Sequence, residues 1–311
     1  MGTRPPRTPA VIFGAPRSGT TSLWRYLAEH PDIAESRVKE LDFFLHEDAD
    51  VSAYDRDFPG AGKVTLEASP VYFREHEEIV PRLAKAMPDA RLVCVLREPA
   101  ARLVANYRSQ RDWYNRVASE MTFDRFAQII AEDLDPTPIN PDKPEMARYV
   151  RDGYKVGLYA QILGHYLSHF APEQILVLFL DEMKADARGV TQRVCMHIGV
   201  DPARMPDMDF RAENQGVNVR NAALFRRLRK VNSRLEPVLN RVPAARRMLK
   251  GLHNRLNGAP ADLYAQEEGR GRAILRDYYR PANAQLRELM QATWPDRPLP
   301  AWVTEAEVVC A

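Results

Sequence analysis

Val11-Ile12-Phe13-Gly14-Ala15-Pro16-Arg17-Ser18-Gly19-Thr20-Thr21-Ser22 decides how this chain folds. Val11 to Phe13 make a short apolar run that ends in a glycine, the pattern of a buried parallel strand. A helix is predicted from about Thr20, with Leu23, Tyr26 and Leu27 on one face and Pro31 closing it. Strand, glycine-bearing loop and helix together form an anion cradle. Backbone N–H groups turn into the loop, and the helix N-terminus adds partial positive charge. Gly14 and Gly19 are expected to supply φ > 0 and a close approach of backbone to an oxyanion. Thr20, Thr21 and Ser22 add hydroxyl donors in the first helical turn.

The same alternation continues outward. Val64 to Ala68 reads as a strand and Glu77 to Met87 as a helix. Arg91 to Leu96 is the clearest buried strand, and Pro99 behind it stands at a good first helical position for a helix to about Tyr114. A helix near Leu158–Phe170, a strand at Ile175–Leu180 and a helix near Ala187–Ile198 follow. This order, with the glycine loop, predicts an α/β, P-loop-like three-layer fold: a central parallel β-sheet flanked by helices, with a helical lid region. Residues 1–9 read as a loose tail and 10–311 as a single domain, with 210–260 a basic helical lid or insertion. The Pro-rich stretch 134–146 reads as a loop. A last periodic helix is expected from about Asp262 to Ala292.

Composition sets bounds. The chain has 311 residues, 45% of them hydrophobic, enough for a sizeable core without staples. Its net charge of +2 excludes a global polycation, so nucleic-acid binding would need a local basic patch. No aromatic stacking platform accompanies the basic stretch 220–256, and no nucleic-acid partner is expected. Only 8 of the 44 basic residues are lysine; arginine suits bidentate oxyanion binding, though base composition of the coding sequence explains most of the bias. Cys94, Cys195 and Cys310 show no metal-ligand spacing, and the first two sit in apolar runs as core thiols. No apolar stretch reaches the ~18 residues of a membrane span, and the N-terminus has no signal-peptide pattern. A cytoplasmic location is expected.

The glycine spacing of the loop fits the Walker A pattern, but Thr20 stands where that pattern needs lysine, and the cation comes three residues earlier, at Arg17. A nucleotide triphosphatase or kinase also needs a Mg²⁺-binding acid. Asp181 is the nearest candidate and a weak one. The loop therefore suits an anionic nucleotide rather than metal-assisted γ-phosphate chemistry. GAPRSGTTSL (14–23) resembles the 5′-phosphosulfate loop of sulfotransferases that use 3′-phosphoadenosine 5′-phosphosulfate (PAPS). Its arginine form is similar to tyrosylprotein and bacterial members. AEHPDIAESRVKELDFF (28–44) resembles a stretch of the heparan-sulfate and bacterial branches. The resemblance implies PAPS as co-substrate, 3′-phosphoadenosine 5′-phosphate (PAP) as product and no metal. It places the 5′-phosphate on Arg17, Ser18, Gly19, Thr20, Thr21 and Ser22.

Arg97 follows the strand 91–96, at the edge where open α/β sheets bind ligands. Pro99 keeps the residue before it extended, so Arg97 leaves the strand free to face a ligand. Arg97, Pro99, Arg102 and Tyr107 resemble the family's 3′-phosphate motif RxPxxRxxSxY. Ala105 stands where the motif has serine, with Asn106 and Ser109 nearby as substitutes. Arg102 reads as structural.

Sulfuryl transfer to a hydroxyl gains from a positioned base. The resemblance places that base at Glu40, with Lys39 beside it. The pair Phe43-Phe44 would lower the local dielectric around the carboxylate. Asp42, His46 and Glu67 are rivals. The heparan branch carries lysine where this chain has Ala68, which argues against a heparan-like acceptor. His30 matches a family position and reads as structural. Arg220, within Asn214–Asn221, resembles the family's nucleotide-covering loop and would clamp the 3′-phosphate. Tyr279 and Asn283 resemble a C-terminal packing helix, and Gly157 with Tyr159 another shared helix start. The segment 220–256 would guide an anionic acceptor, lie on an anionic membrane as a peripheral contact, or form a solvated lid face. A carbohydrate, lipid or other small-molecule acceptor fits. The rival functions are a P-loop kinase or NTPase and a non-catalytic nucleotide-binding protein.

Overall fold

The structure, a computed structural model, describes residues 7–46, 51–210 and 269–305. The described residues fall into two compact units. One lies within Met1–Arg102, Lys155–Glu213 and Tyr279–Ala311, the other within Leu103–Tyr154 and Asn214–Tyr278.

The first unit holds a five-stranded sheet of order β2-β3-β1-β4-β5, with every pairing parallel. The strands are β1 (Thr8–Gly14), β2 (Ile33–Glu35), β3 (Val64–Ala68), β4 (Arg91–Leu96) and β5 (Ile175–Phe179). Side-chain alternation assigns the two faces. Val11 and Phe13 of β1 join Leu92, Cys94 and Leu96 of β4 in one core layer. Ala10, Ile12, Val93 and Val95 point into the other. The first layer is closed by α3 (Val71–Arg74), α4 (His76–Ala86), α8 (Tyr159–Leu167) and residues of the C-terminal segment such as Leu286 and Met290. The second is closed by α1 (Thr20–Ala28) and α10 (Ala187–Ile198). This is the three-layer α/β architecture expected from the strand–helix alternation.

Residues 7–9, expected within a loose tail, are held against the sheet. Thr8 opens β1 because its N–H pairs with the Lys63 carbonyl at 3.1 Å, and the Arg7 guanidinium binds Asp55 and the carbonyl of Gly60. Cys94 and Cys195 are buried core thiols. Burial pushes the Cys195 thiol up to about 11, so it stays protonated at neutral pH. No helix among the described residues is long and apolar enough to cross a membrane.

α4 and α8 meet at a pair of imidazoles, His76 Nδ1 and His165 Nδ1, 2.9 Å apart. One of the two must be neutral at that nitrogen to accept. Burial, and then the neighbouring His165, pull His76 down from its ordinary value of 6.5. A depressed histidine contributes stability that is present above the ordinary pKa and lost as pH falls through the folded value. His76→Gln is therefore expected to narrow the gap to wild type as pH drops from 8 toward 5.5, read by urea denaturation across that range.

The second unit contains α6 (Phe123–Ala131) and α7 (Pro144–Arg151). Thr122 caps α6 by accepting from the Arg125 N–H, and Tyr107 packs on Phe123 and Phe126 at ring distances of 5.2 and 5.0 Å. The Tyr107 hydroxyl donates to the Met121 carbonyl. Tyr107 is a core residue here. Helix α5 (Pro99–Asp112) begins at proline as expected and is capped by Glu98, whose Oε2 accepts the Ala101 N–H at 3.1 Å. The remaining helices are α2 (Val51–Tyr54), α9 (Leu180–Ala185), α11 (Gly269–Thr293) and α12 (Ala301–Thr304).

Candidate functional site

β1 lies between β3 and β4, and the chain leaves it toward β2 and β3 on one side and β4 and β5 on the other. The carboxyl ends of β1 and β4 therefore flank the topological switch point, the crevice where such sheets bind ligands. Both sequence-predicted phosphate elements arise there. The Ala15 N–H donates to the Val95 carbonyl at 2.9 Å, which ties the loop after β1 to the end of β4. Arg97, the residue after β4, donates from Nη1 to the carbonyl of Arg17 at 3.2 Å. Its own carbonyl accepts from the Tyr159 hydroxyl at 2.7 Å, so it is held from both sides.

The loop's glycines do different work from each other. Gly19 takes the left-handed conformation, φ 92°, and ends the loop as the N-cap of α1. Gly14 does not; the expectation of φ > 0 there is corrected. A Cβ on Gly14 would fall within 2.5 Å of Phe73 Cβ and Cγ, so its glycine is required by packing under the loop. Gly14→Ala is expected to cost about 1–3 kcal/mol through that overlap, measured by urea denaturation. The second left-handed loop residue is Arg17, φ 67°. A non-glycine residue there costs roughly 1–2 kcal/mol, and such strain gathers where function sets the geometry.

Ser18, Thr20 and Ser22 are buried, while Arg17 is exposed at the rim. The first amides of a helix have no partner within it, so those of Thr20 and Thr21 are directed at the loop. The Ser18 hydroxyl is buried and meets no hydrogen-bond partner among the described residues. An oxyanion oxygen in the loop would satisfy it. The loop therefore fits the phosphate end of an anionic nucleotide.

Glu40 stands beside the neighbouring strand end. Its N–H donates to the carbonyl of Ala68, the last residue of β3, at 3.0 Å. Ala68 is in register with Ile12 of β1. Glu40 and Asp42 are left-handed, φ 65° and 54°, so three of the five non-glycine residues with positive φ among the described residues lie at this sheet edge. The Glu40 side chain is 57% exposed and accepts a 2.6 Å charge-assisted hydrogen bond from Lys39. Phe43 and Phe44, expected to shape its surroundings, meet other aromatic rings. Phe44 is buried against Tyr72, and Phe43, partly buried, packs on Tyr54.

The rivals are placed elsewhere. Glu67 has no exposure and receives three hydroxyls, so no acceptor reaches it without a rearrangement of the core. Burial raises the Asp42 carboxyl, with a smaller opposing effect from Ser69. His46 is exposed beyond the turn. His30 is structural: Nδ1 accepts the Asp32 N–H, and Nε2 then donates to the Asp201 carbonyl at 2.9 Å. Arg102 is buried. Asn106 packs against Gly153. Tyr279 fills the space beside Gly157, where a Cβ would meet its ring. Asp181 accepts from the Trp302 indole and neighbours Lys184. Arg220 and the basic segment 220–256 lie outside the described residues.

A sulfotransferase domain matches residues 7–225. The human bifunctional heparan sulfate N-deacetylase/N-sulfotransferase 3 is 24% identical over 95% of this chain and 31% of its own length. Human heparan sulfate glucosamine 3-O-sulfotransferase 6 is 27% identical over 61% of this chain and 52% of its own. The chain thus spans a third to a half of the length of these relatives. The crystal structure of a sulfotransferase from Alicyclobacillus acidocaldarius has the same fold, with a TM-score of 0.61 at 23% identity, over 95% of this chain and 98% of that one. With the glycine loop of Arg17 and Arg97 meeting at the switch point of a parallel sheet, and with the domain match covering more than half its length, this chain belongs to the sulfotransferase domain family.

Proposed function

We propose that the protein transfers the sulfuryl group of PAPS to a hydroxyl or amine of a carbohydrate, lipid or other small-molecule acceptor. The observation that carries this reading is the hydrogen bond from Arg97 to the Arg17 carbonyl, which joins the 5′ and 3′ phosphate elements in one crevice. A triphosphatase needs a lysine in the loop, and Thr20 stands there.

In this reading the loop amides, Ser18, Thr20, Thr21 and Ser22 seat the 5′-phosphate, and Arg97 pairs with the 3′-phosphate. Glu40 accepts the acceptor proton while the acceptor oxygen or nitrogen bonds to sulfur. The bond from sulfur to the 5′-phosphate oxygen breaks in line, and PAP leaves. Arg17 and the α1 N-terminus stabilise the charge that builds on that oxygen, the preorganised electrostatics that give enzymes their largest gains. Lys39 holds the Glu40 carboxylate by its 2.6 Å contact. A carbohydrate acceptor is favoured because the relatives reported above are named for heparan sulfate, although Ala68, where the heparan branch carries lysine, points to a glycan other than heparan.

The test is transfer of label from [³⁵S]PAPS to a desulfated heparan probe, beside a panel of phenolic and lipid alcohols, with ATP–Mg²⁺ in parallel. Label on any acceptor supports the reading, and label on the glycan supports the carbohydrate class. Phosphoryl transfer from ATP with none from PAPS would return the chain to the kinases.

A further inference from the structure

Glu67 sits one residue from the carboxyl end of a buried strand, where a carboxylate is out of place unless it is fully hydrogen-bonded. Its partners are Tyr54 on Oε2 at 2.7 Å, and Ser69 and Tyr72 on Oε1, both at 2.6 Å. Burial pushes the carboxyl up, and the hydroxyls of Ser69, Tyr72 and Tyr54 act against that rise.

Two of those hydroxyls have a second task. Ser69 Oγ accepts the N–H of Asp42 at 2.9 Å, and the Tyr72 hydroxyl accepts the N–H of Phe44 at 3.0 Å. A backbone amide only donates, so each hydroxyl oxygen must receive it and send its own hydrogen elsewhere. Both hydrogens go to Glu67 Oε1. The turn from Glu40 to Phe44 is therefore fastened at the Glu40 amide by the Ala68 carbonyl, and at the next two points by relays that end on one buried oxygen. Left-handed Glu40 and Asp42 need such fastening, because L side chains disfavour that conformation.

We propose that Glu67 is a positioning residue, whose Oε1 holds the Glu40–Phe44 turn through Ser69 and Tyr72 and so presents Glu40 at the sheet edge. The proposal rests on the reading of Glu40 as the base, and gives the rival carboxylate a separate role. Glutamine keeps the Oε1 acceptor and turns its amide toward the Tyr54 oxygen. Leucine has similar bulk and no acceptor.

Residue-resolved amide hydrogen exchange tests this without an acceptor substrate. Glu67→Leu should speed exchange at Asp42 and Phe44 about tenfold or more, and Glu67→Gln by no more than about threefold. Ser69→Ala should release Asp42 alone, and Tyr72→Phe should release Phe44 alone. The Ala15 and Ser18 amides should keep wild-type rates throughout. Wild-type rates at Asp42 and Phe44 in Glu67→Leu would overturn the proposal, as would an equal rise at Ala15 and Ser18. If Glu67→Leu does not fold, the single-arm variants decide: each must free its own amide and spare the other. PAP titration of the same samples separates the two readings. Absent PAP binding in wild type sinks the sulfotransferase reading, whereas normal PAP binding with silent exchange sinks only the role of Glu67.

Discussion

Glu40→Gln is expected to lower kcat for sulfuryl transfer from PAPS by about 100- to 10,000-fold, the range a positioned general base supplies, while PAP affinity stays near wild type. The substitution keeps length, shape and backbone demands. It removes only the ability to take a proton and the charge that pairs with Lys39 at 2.6 Å. The two effects separate by experiment. Lys39→Met breaks the pair but leaves a base, so its loss should be the smaller one. Steady-state rates for both variants, with PAP binding by calorimetry, check the claim. A Glu40→Gln enzyme with near wild-type kcat would move the base to Asp42, the half-buried carboxylate two residues further along the same turn.

Arg17→Ala is expected to reduce kcat by about 100- to 1,000-fold, the scale for losing one preorganised charge-stabilising group. The side chain is exposed and its removal leaves no cavity. Alanine meets the same left-handed backbone penalty as arginine, so stability should change little. The carbonyl that receives Arg97 belongs to the backbone and survives the change. The loss should thus fall on the leaving 5′-phosphate and spare the 3′-phosphate site. Arg17→Lys, which keeps charge without the planar fork, should recover part of the rate. Equal loss in both variants, together with lost PAP binding, would mean that the loop has collapsed and that Arg17 is structural.

Much of this was legible in the chain because its signals are local. β3 occurs at Val64–Ala68, β4 at Arg91–Leu96 and α10 at Ala187–Ile198, as the apolar runs and periodicity predict. The loop between β1 and α1 carries its own punctuation in Gly19 and the threonines that follow. Elements that depend on distant partners were not legible. β2 has three residues, too few for a pattern, and exists because β3 offers it an edge. α7 starts at Pro144, inside the stretch read as a loop, because proline at the first helical position gives up no hydrogen bond. The use of Gly14 depends on Phe73, and Glu67 on Tyr54, Ser69 and Tyr72. Sequence showed an acidic residue in an apolar strand and offered it as a base. Only the fold shows that its oxygens are already taken.

In the proposed function, Arg97 and the loop of Arg17 form one site for a nucleotide with phosphates at both 5′ and 3′ positions. Isothermal titration of PAP and of 5′-AMP into wild type and Arg97→Ala tests it most directly. Tight PAP binding is expected, with much weaker 5′-AMP binding and a loss of PAP affinity in Arg97→Ala of roughly tenfold or more, the worth of a charge-assisted contact. The affinity for 5′-AMP should hardly change. PAP and 5′-AMP binding alike in wild type, or PAP binding indifferent to Arg97, would contradict it.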